Sequence, residues 1–131
     1  MSKKSRNTCL FCDFLNKERH KIISETKTFY ARWDNFPVNK GHAEVVPKKH
    51  IESFFEMTKK ESSQMFEFTR EIKKIIDKKF KPDAYNIGIN DGEEAGRTIH
   101  HLHVHIIPRY KGDVKNPRGG IRNIIPGKGK Y

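Results

Sequence analysis

Four of the seven histidines in the chain fall within one short segment, HHLHVHIIPR at residues 100–109. His101, His103 and His105 alternate there with aliphatic residues. Because successive side chains of a β-strand point to opposite faces, we expect the three imidazoles to form one row. Imidazole binds transition metals, and near neutral pH its uncharged form can act as a nucleophile. The row therefore predicts either a metal site or nucleophilic catalysis.

The surroundings of the row favour nucleophilic catalysis. A catalytic metal needs a third ligand and a nearby carboxylate or histidine to hold its water, and no acidic residue closely follows His105. The nearest carboxylates lie in the preceding loop or well beyond the strand, at Asp91, Glu93, Glu94 and Asp113. A metal-dependent hydrolase with His101, His103 and His105 as ligands stays open as an alternative.

The two cysteines of the chain form a C-x-x-C pair, Cys9 and Cys12. In a reducing compartment such a pair is more often metal-binding or redox-active than a structural disulfide. The chain has no apolar run of 18 residues and no signal-peptide pattern. We therefore expect a cytoplasmic protein without a membrane segment.

The charge of the chain favours a polyanionic partner. Its 131 residues include 27 Lys and Arg against 16 Asp and Glu, a net charge of +11. Phosphate-bearing small molecules and nucleic acids both fit this balance. A basic nucleic-acid-binding module is thus a second alternative, although no RNP-like strand, helix-turn-helix or zinc-finger spacing supports it.

The pattern of strand and helix signals around the histidines predicts one α+β domain over residues 1–131. Strands are expected at 21–26, 28–33, from 42, at 84–90 and at 98–107, and a capping box precedes a long amphipathic helix ending at Pro82. The order of these elements, first strands, then a helix and then further strands, favours a mainly antiparallel five-stranded sheet with one long and one short helix. We expect a flexible basic start at 1–7, a basic arm at 114–131 and, because the core is small, a homodimer.

Three segments resemble the histidine triad (HIT) family of nucleotide hydrolases and transferases. GRTIHHLHVHIIPR resembles the His-x-His-x-His-x-x signature of the family, in which x is hydrophobic. DNFPVNKGHAEVVPKKHI resembles its upstream segment, and NIGINDGEEAGRTIHHLH resembles the asparagine and glycine-rich turn before the first histidine. The resemblance covers about residues 9 to 113 and implies a HIT-like fold.

The resemblance implies a role for each matching residue. His103 would attack the α-phosphorus of a dinucleoside polyphosphate or a nucleoside phosphoramidate, such as an AMP conjugate, and form a nucleotidyl-histidine that water cleaves. His105 would contact the α-phosphate, and His101 would orient His103. No catalytic metal is expected. The purine nucleotide substrate would be bound by Asp34, His42, Asn90, Gly96, Arg97 and Thr98.

Arg97 departs from the family, which usually has Gln at this position. A guanidinium adds charge and a rigid fork of donors near the leaving group. We therefore predict a stronger preference for polyphosphate leaving groups over neutral amines.

The cysteine pair matches a feature of some bacterial members of the family. In those proteins an N-terminal C-x-x-C joins two histidines around a structural zinc. The resemblance implies that Cys9, Cys12, His50 and His101 form such a site here. A closed Cys2His2 site fixes the fold and leaves the chemistry to other residues.

Overall fold

The computed structural model describes residues 9–131, so the flexible start predicted for residues 1–7 lies outside the described residues. Two α-helices and five strands follow in chain order: α1 (Lys17–His20), β1 (Ile22–Glu25), β2 (Phe29–Trp33), β3 (Ala43–Pro47), α2 (Lys59–Phe80), β4 (Ala84–Gly88) and β5 (Val104–Arg109). Short 3₁₀ helices occur at Leu10–Cys12, Phe54–Glu56, Glu93–Ala95 and Gly120–Ile124. The predicted α+β class with one long and one short helix is confirmed.

The five strands form one sheet in the order β1-β2-β3-β5-β4, and every neighbouring pair is antiparallel. β5, which carries the end of the histidine segment, lies between β3 and β4. Its residue His105 faces Glu44 of β3 on one side and Gly88 of β4 on the other. The sheet thus brings the upstream and downstream segments of the chain to the same place.

Helix α2 covers one face of the sheet. A capping box formed by Thr58 and Glu61 starts the helix, and Lys81 ends it in the left-handed conformation just before Pro82. Its buried residues Met65, Phe68, Ile72 and Ile76 recur every three or four positions and pack on apolar side chains of β2, β3 and β5. Burial of each such side chain stabilises the fold by about 1.5–3 kcal/mol.

The N-terminal segment covers part of the opposite face. Cys9 and Phe11 pack against Tyr30 of β2 and Val46 of β3 in a second apolar cluster. The Tyr30 hydroxyl donates a 2.6 Å hydrogen bond to the carbonyl of Phe11. The middle strands are therefore buried on both faces, and the segment that carries the cysteines is fixed against the sheet.

The last strand begins later than the alternation predicts. We expected a strand over 98–107, but β5 starts at Val104 and the preceding residues are irregular. The reason is that the backbone before Val104 bonds outside the ladder: the amide of Leu102 donates to the carbonyl of Ile51, 2.8 Å away. This bond draws His101 toward the segment after β3.

Candidate active site and metal cluster

His103 precedes β5 and is held in one tautomer by its own chain. Its Nδ1 lies 2.7 Å from the carbonyl oxygen of His101. Because a carbonyl only accepts, Nδ1 carries the proton and Nε2 carries the lone pair. The residue is 8% exposed, and burial lowers its pKa to about 4. At neutral pH the ring is uncharged with a nucleophilic Nε2.

A chain of two histidines places a hydrogen-bond donor beside His103. The amide of Val38 donates to His42 Nδ1 at 3.2 Å, so Nε2 of His42 carries its proton. That Nε2 lies 3.0 Å from His105 Nδ1, which must then accept and leave the proton of His105 on Nε2. Burial lowers the pKa of both rings. The ring centroids of His103 and His105 are 5.0 Å apart, so an N–H donor lies next to the nucleophile.

Asp34 lies at the edge of this group. One carboxylate oxygen accepts a 2.7 Å hydrogen bond from the amide of Phe36, as in a turn. The other lies 3.5 Å from His42 Nε2. Asp34 therefore acts as a turn former and is also a neighbour of the histidine chain.

A buried ion pair, which the sequence analysis missed, lies behind the histidines. Arg32 of β2 and Glu44 of β3 face each other in register and bond at 2.5 Å, with side chains 4% and 5% exposed. Glu44 lies 3.7 Å from His105 Nδ1. Burial and the nearby Asp34 raise the pKa of Glu44 to about 7, although Arg32 opposes the shift. The available signal was a pair of opposite charges on two consecutive predicted strands, Arg32 in 28–33 and Glu44 in the strand from 42.

The glycine-rich loop between β4 and β5 carries four of the predicted binding residues. Gly96 adopts a left-handed φ of 100° after a short 3₁₀ helix, and the side chains of Asn90 and Thr98 are exposed. The side chain of Arg97 is only 10% exposed. Its three guanidinium nitrogens contact Glu52 and His100, so the predicted role of Arg97 at the leaving group stays a prediction.

The basic arm runs beside β4. Arg118 and Arg122 both lie over the ring of Tyr131, with guanidinium carbons 4.9 and 4.8 Å from its centroid. Ile121 of the 3₁₀ helix approaches Gly88, the residue that pairs with His105. The arm therefore folds back on itself next to the strand pair that carries the site.

His101 belongs to a separate cluster with Cys9, Cys12 and His50, whose ligand atoms all lie within 4.8 Å of one another. Its Nδ1 is 3.3 Å from Cys9 Sγ and 3.2 Å from His50 Nδ1. Its Nε2 donates to the carbonyl of Pro47 at 2.8 Å, which leaves the lone pair on Nδ1. The ring thus points away from His103 and His105, and the three histidines do not converge on one ligand.

The cluster has the dimensions of a tetrahedral metal site. A tetrahedron with Zn–S near 2.3 Å and Zn–N near 2.05 Å has edges of about 3.3–3.8 Å. The sulfur–nitrogen distances are 3.2–3.5 Å, and the two Nδ1 atoms are 3.2 Å apart. These four residues could therefore hold a metal ion.

Comparisons with known proteins point to one family. The HIT domain family model matches residues 16–112. An uncharacterised HIT-like protein of Methanocaldococcus jannaschii is 42% identical over 120 residues, covering 88% of this chain and 91% of that protein. The bis(5'-nucleosyl)-tetraphosphatase (asymmetrical) of Schizosaccharomyces pombe is 42% identical over 93 residues, or 71% of this chain and about half, 51%, of its own length.

A solved structure shares the fold. The Zn-bound histidine triad family protein from Mycobacterium smegmatis matches with a TM-score of 0.76 and 28% identity, covering 86% of this chain and 82% of that chain. None of the helices within residues 9–131 combines the length and the hydropathy of a membrane-spanning segment. Because the family model and a relative 42% identical each cover most of the sequence, the chain belongs to the HIT domain family.

Proposed function

We propose that the protein is a nucleotide hydrolase or nucleotidyl transferase in which His103 attacks the α-phosphorus of a dinucleoside polyphosphate or an AMP conjugate. The observation that carries the proposal is the 2.7 Å contact between His103 Nδ1 and the carbonyl of His101. That contact leaves an uncharged Nε2 with its lone pair available for attack. The relative from Schizosaccharomyces pombe, named as a tetraphosphatase, supports the substrate class.

The reaction proceeds in two displacements. In the first, a bond forms between His103 Nε2 and the α-phosphorus while the phosphorus bond to the leaving group breaks, and the leaving group takes a proton from solvent. In the second, water attacks the same phosphorus and gives up a proton to solvent, the nitrogen–phosphorus bond breaks, and His103 regains its lone pair. The products are a nucleoside monophosphate and the second part of the substrate.

In this proposal, the neighbours of His103 stabilise the charge on the phosphate and orient the substrate. The N–H that the histidine chain leaves on His105 Nε2 donates to an α-phosphate oxygen, where negative charge is held during transfer. Asp34 accepts from the ribose hydroxyls. The exposed side chains of Asn90 and Thr98 and the backbone at Gly96 are available to the leaving group.

We also propose that the metal held by Cys9, Cys12, His50 and His101 is zinc. The Cys2His2 donor set and the inter-ligand distances fit that ion, and the name of the Mycobacterium smegmatis structure supports it. Zinc in this site would supply a fixed tetrahedral link between the N-terminal segment and the segment before β5. His101 is thereby held in place, and its carbonyl keeps the tautomer of His103.

The stereochemical course at phosphorus tests the proposal. A dinucleoside polyphosphate carrying a chiral α-phosphorothioate is hydrolysed in ¹⁸O-water, and the configuration of the product is determined. Two in-line displacements predict net retention, whereas direct attack by water predicts inversion. Inversion would exclude a nucleotidyl-histidine. His103→Ala, which lacks the attacking nitrogen, serves as the control for uncatalysed hydrolysis.

A further inference from the structure

Glu52 lies between the metal cluster and the glycine-rich loop. Its carboxylate oxygen Oε2 is 3.8 Å from Nε2 of His50, one of the four cluster residues. Its other carboxylate oxygen is 3.6 Å from Nη2 of Arg97 in the loop, and its backbone carbonyl accepts from Arg97 Nη1 at 2.7 Å. One glutamate therefore contacts both regions.

The Nε2 atom of His50 lies closest to this carboxylate and has no other partner among the described residues. Its Nδ1 lies 3.2 Å from Cys12 Sγ, and when this nitrogen binds the proposed metal the proton of the neutral ring is on Nε2. That Nε2 is buried and makes no hydrogen bond in the described part of the chain. A histidine that binds a metal generally donates its other ring N–H to a carboxylate or carbonyl. Glu52 is the carboxylate placed to accept it, within reach of a small side-chain rotation.

Arg97 holds Glu52 in that position. Besides its two contacts to Glu52, its Nε donates to His100 Nδ1 at 3.2 Å, so the planar guanidinium is fixed along its whole edge. A charge-assisted contact of this kind is stronger than a neutral hydrogen bond. The guanidinium is thus oriented by partners on two segments.

A second link joins the same two segments. One carboxylate oxygen of Asp91 accepts from the amide of Phe54 at 2.8 Å, and the other accepts from the hydroxyl of Ser53 at 3.0 Å. Residues 52–54, which closely follow His50, are therefore tied to the loop at both of its ends, through Asp91 and through Arg97. Direct contacts therefore join the segment that follows the metal cluster to the loop.

We propose that Arg97 and Glu52 are positioning residues that orient His50 toward the metal and couple the metal cluster to the loop at 91–98. This inference rests on the proposed zinc site. Because coupling between two sites is reciprocal, metal binding orders the loop, and loss of the Arg97 contact weakens metal binding. Arg97 therefore acts on the substrate through the position of its loop.

Zinc affinity tests the inference directly. The metal-free protein competes with a chromophoric chelator for zinc, as wild type, Arg97→Ala, Glu52→Gln and the double variant. Each single substitution is expected to weaken binding about 10- to 100-fold, as loss of an outer hydrogen-bond partner of a metal ligand does. The double variant is expected to be no weaker than Glu52→Gln, because Arg97 acts through Glu52. Arg70→Ala, which removes an exposed arginine paired with Glu67, is the matched control and should leave affinity unchanged.

Hydrogen exchange of the peptide covering residues 91–98 gives the second readout. Zinc should slow exchange there in wild type, and the difference should disappear in Arg97→Ala. A wild-type protein that binds no zinc would refute the zinc proposal itself. Zinc-binding wild type with unchanged affinity in both single variants, or additive losses in the double variant, would overturn the coupling instead. Glu52→Gln keeps the size of the side chain, so its zinc affinity tests the coupling even if Arg97→Ala fails to fold.

Discussion

His101 and His103 are two residues apart and are both buried, but their rings are oriented for different chemistry. Burial lowers the pKa of each to about 4. His101 donates from Nε2 to Pro47 and turns Nδ1 toward the cysteine sulfurs, whereas His103 donates from Nδ1 to His101 and leaves the lone pair on Nε2. We infer that the backbone carbonyl bound by each ring decides between the two proposed roles, metal ligand and nucleophile.

The metal cluster and the candidate active site are separate but share a wall, which is formed by the ring of Phe11 and the backbone carbonyl of His101. Phe11 contacts the rings of both His101 and His103, at centroid distances of 6.1 and 4.9 Å. The carbonyl of His101 is also the acceptor that sets the tautomer of His103. Substitutions on either side should thus separate chemistry from metal binding, and substitutions in the wall should affect both.

The largest effect is expected from His103→Ala. Removal of the nucleophile should lower kcat for a dinucleoside polyphosphate by about 10³-fold or more while zinc affinity stays unchanged. His105→Asn is the matched control, because it retains the nucleophile and should keep measurable turnover. Steady-state kinetics and chelator competition on the same samples check both statements. Turnover near the wild-type level in His103→Ala would remove the distinction between the two histidines.

Cys12→Ser is expected to produce the opposite pattern. A site saturated at about 1,000 times its Kd contributes about 4 kcal/mol to folding, so loss of the metal should lower Tm by roughly 15 °C. Catalysis should fall less than in His103→Ala, since the nucleophile is intact. Chelation of the wild-type protein should reproduce the same Tm. A Tm that responds to neither change would show that the cluster does not stabilise the fold.

Glu44→Gln tests the side of the active site away from the metal. At about pH 9, where Glu44 is ionised, the substitution leaves the guanidinium of Arg32 buried without a counter-charge, and we expect a loss of about 3 kcal/mol in the free energy of unfolding. Urea denaturation measures it, with the exposed Glu67→Gln as a control that should change stability by less than about 0.5 kcal/mol. Zinc affinity should not change. A weaker metal site in Glu44→Gln would mean that the two regions are not separate.

The smallest effect is expected from Phe11→Leu in the shared wall. The ring is fully buried, and its loss should cost about 1.5 kcal/mol of stability through reduced aromatic packing. Both kcat and zinc affinity should fall together, each by roughly 3- to 10-fold. Parallel kinetics and chelator competition measure the pair. A change confined to one of them would show that Phe11 belongs to one region only.

The sequence predicted the sheet and the long helix well, because alternation and helical spacing are local signals. The helix expected up to Pro82 ends at Phe80, and all five predicted strands occur. The gathering of Cys9, Cys12, His50 and His101 came from the family resemblance. No local pattern places three distant segments at one point.

The features that the sequence did not predict all depend on tertiary contacts. The Arg32–Glu44 pair resembled ordinary polar positions of half-exposed strands, and only the pairing of β2 with β3 and the covering N-terminal segment show that it is buried. The late start of β5 depends on the bond between Leu102 and Ile51. The role of Arg97 depends on Glu52, which is 45 residues away in the chain.

Mapping the covalent intermediate tests the central claim most directly. Zinc-loaded protein is mixed with a dinucleoside polyphosphate, quenched within the first turnover, digested under conditions that preserve phosphoramidates, and sequenced by tandem mass spectrometry. We predict a nucleotidyl group on His103 and unmodified His101 and His105. A nucleotidyl group on either of those residues, or rapid turnover without any modified histidine, would contradict the division between ligand and nucleophile.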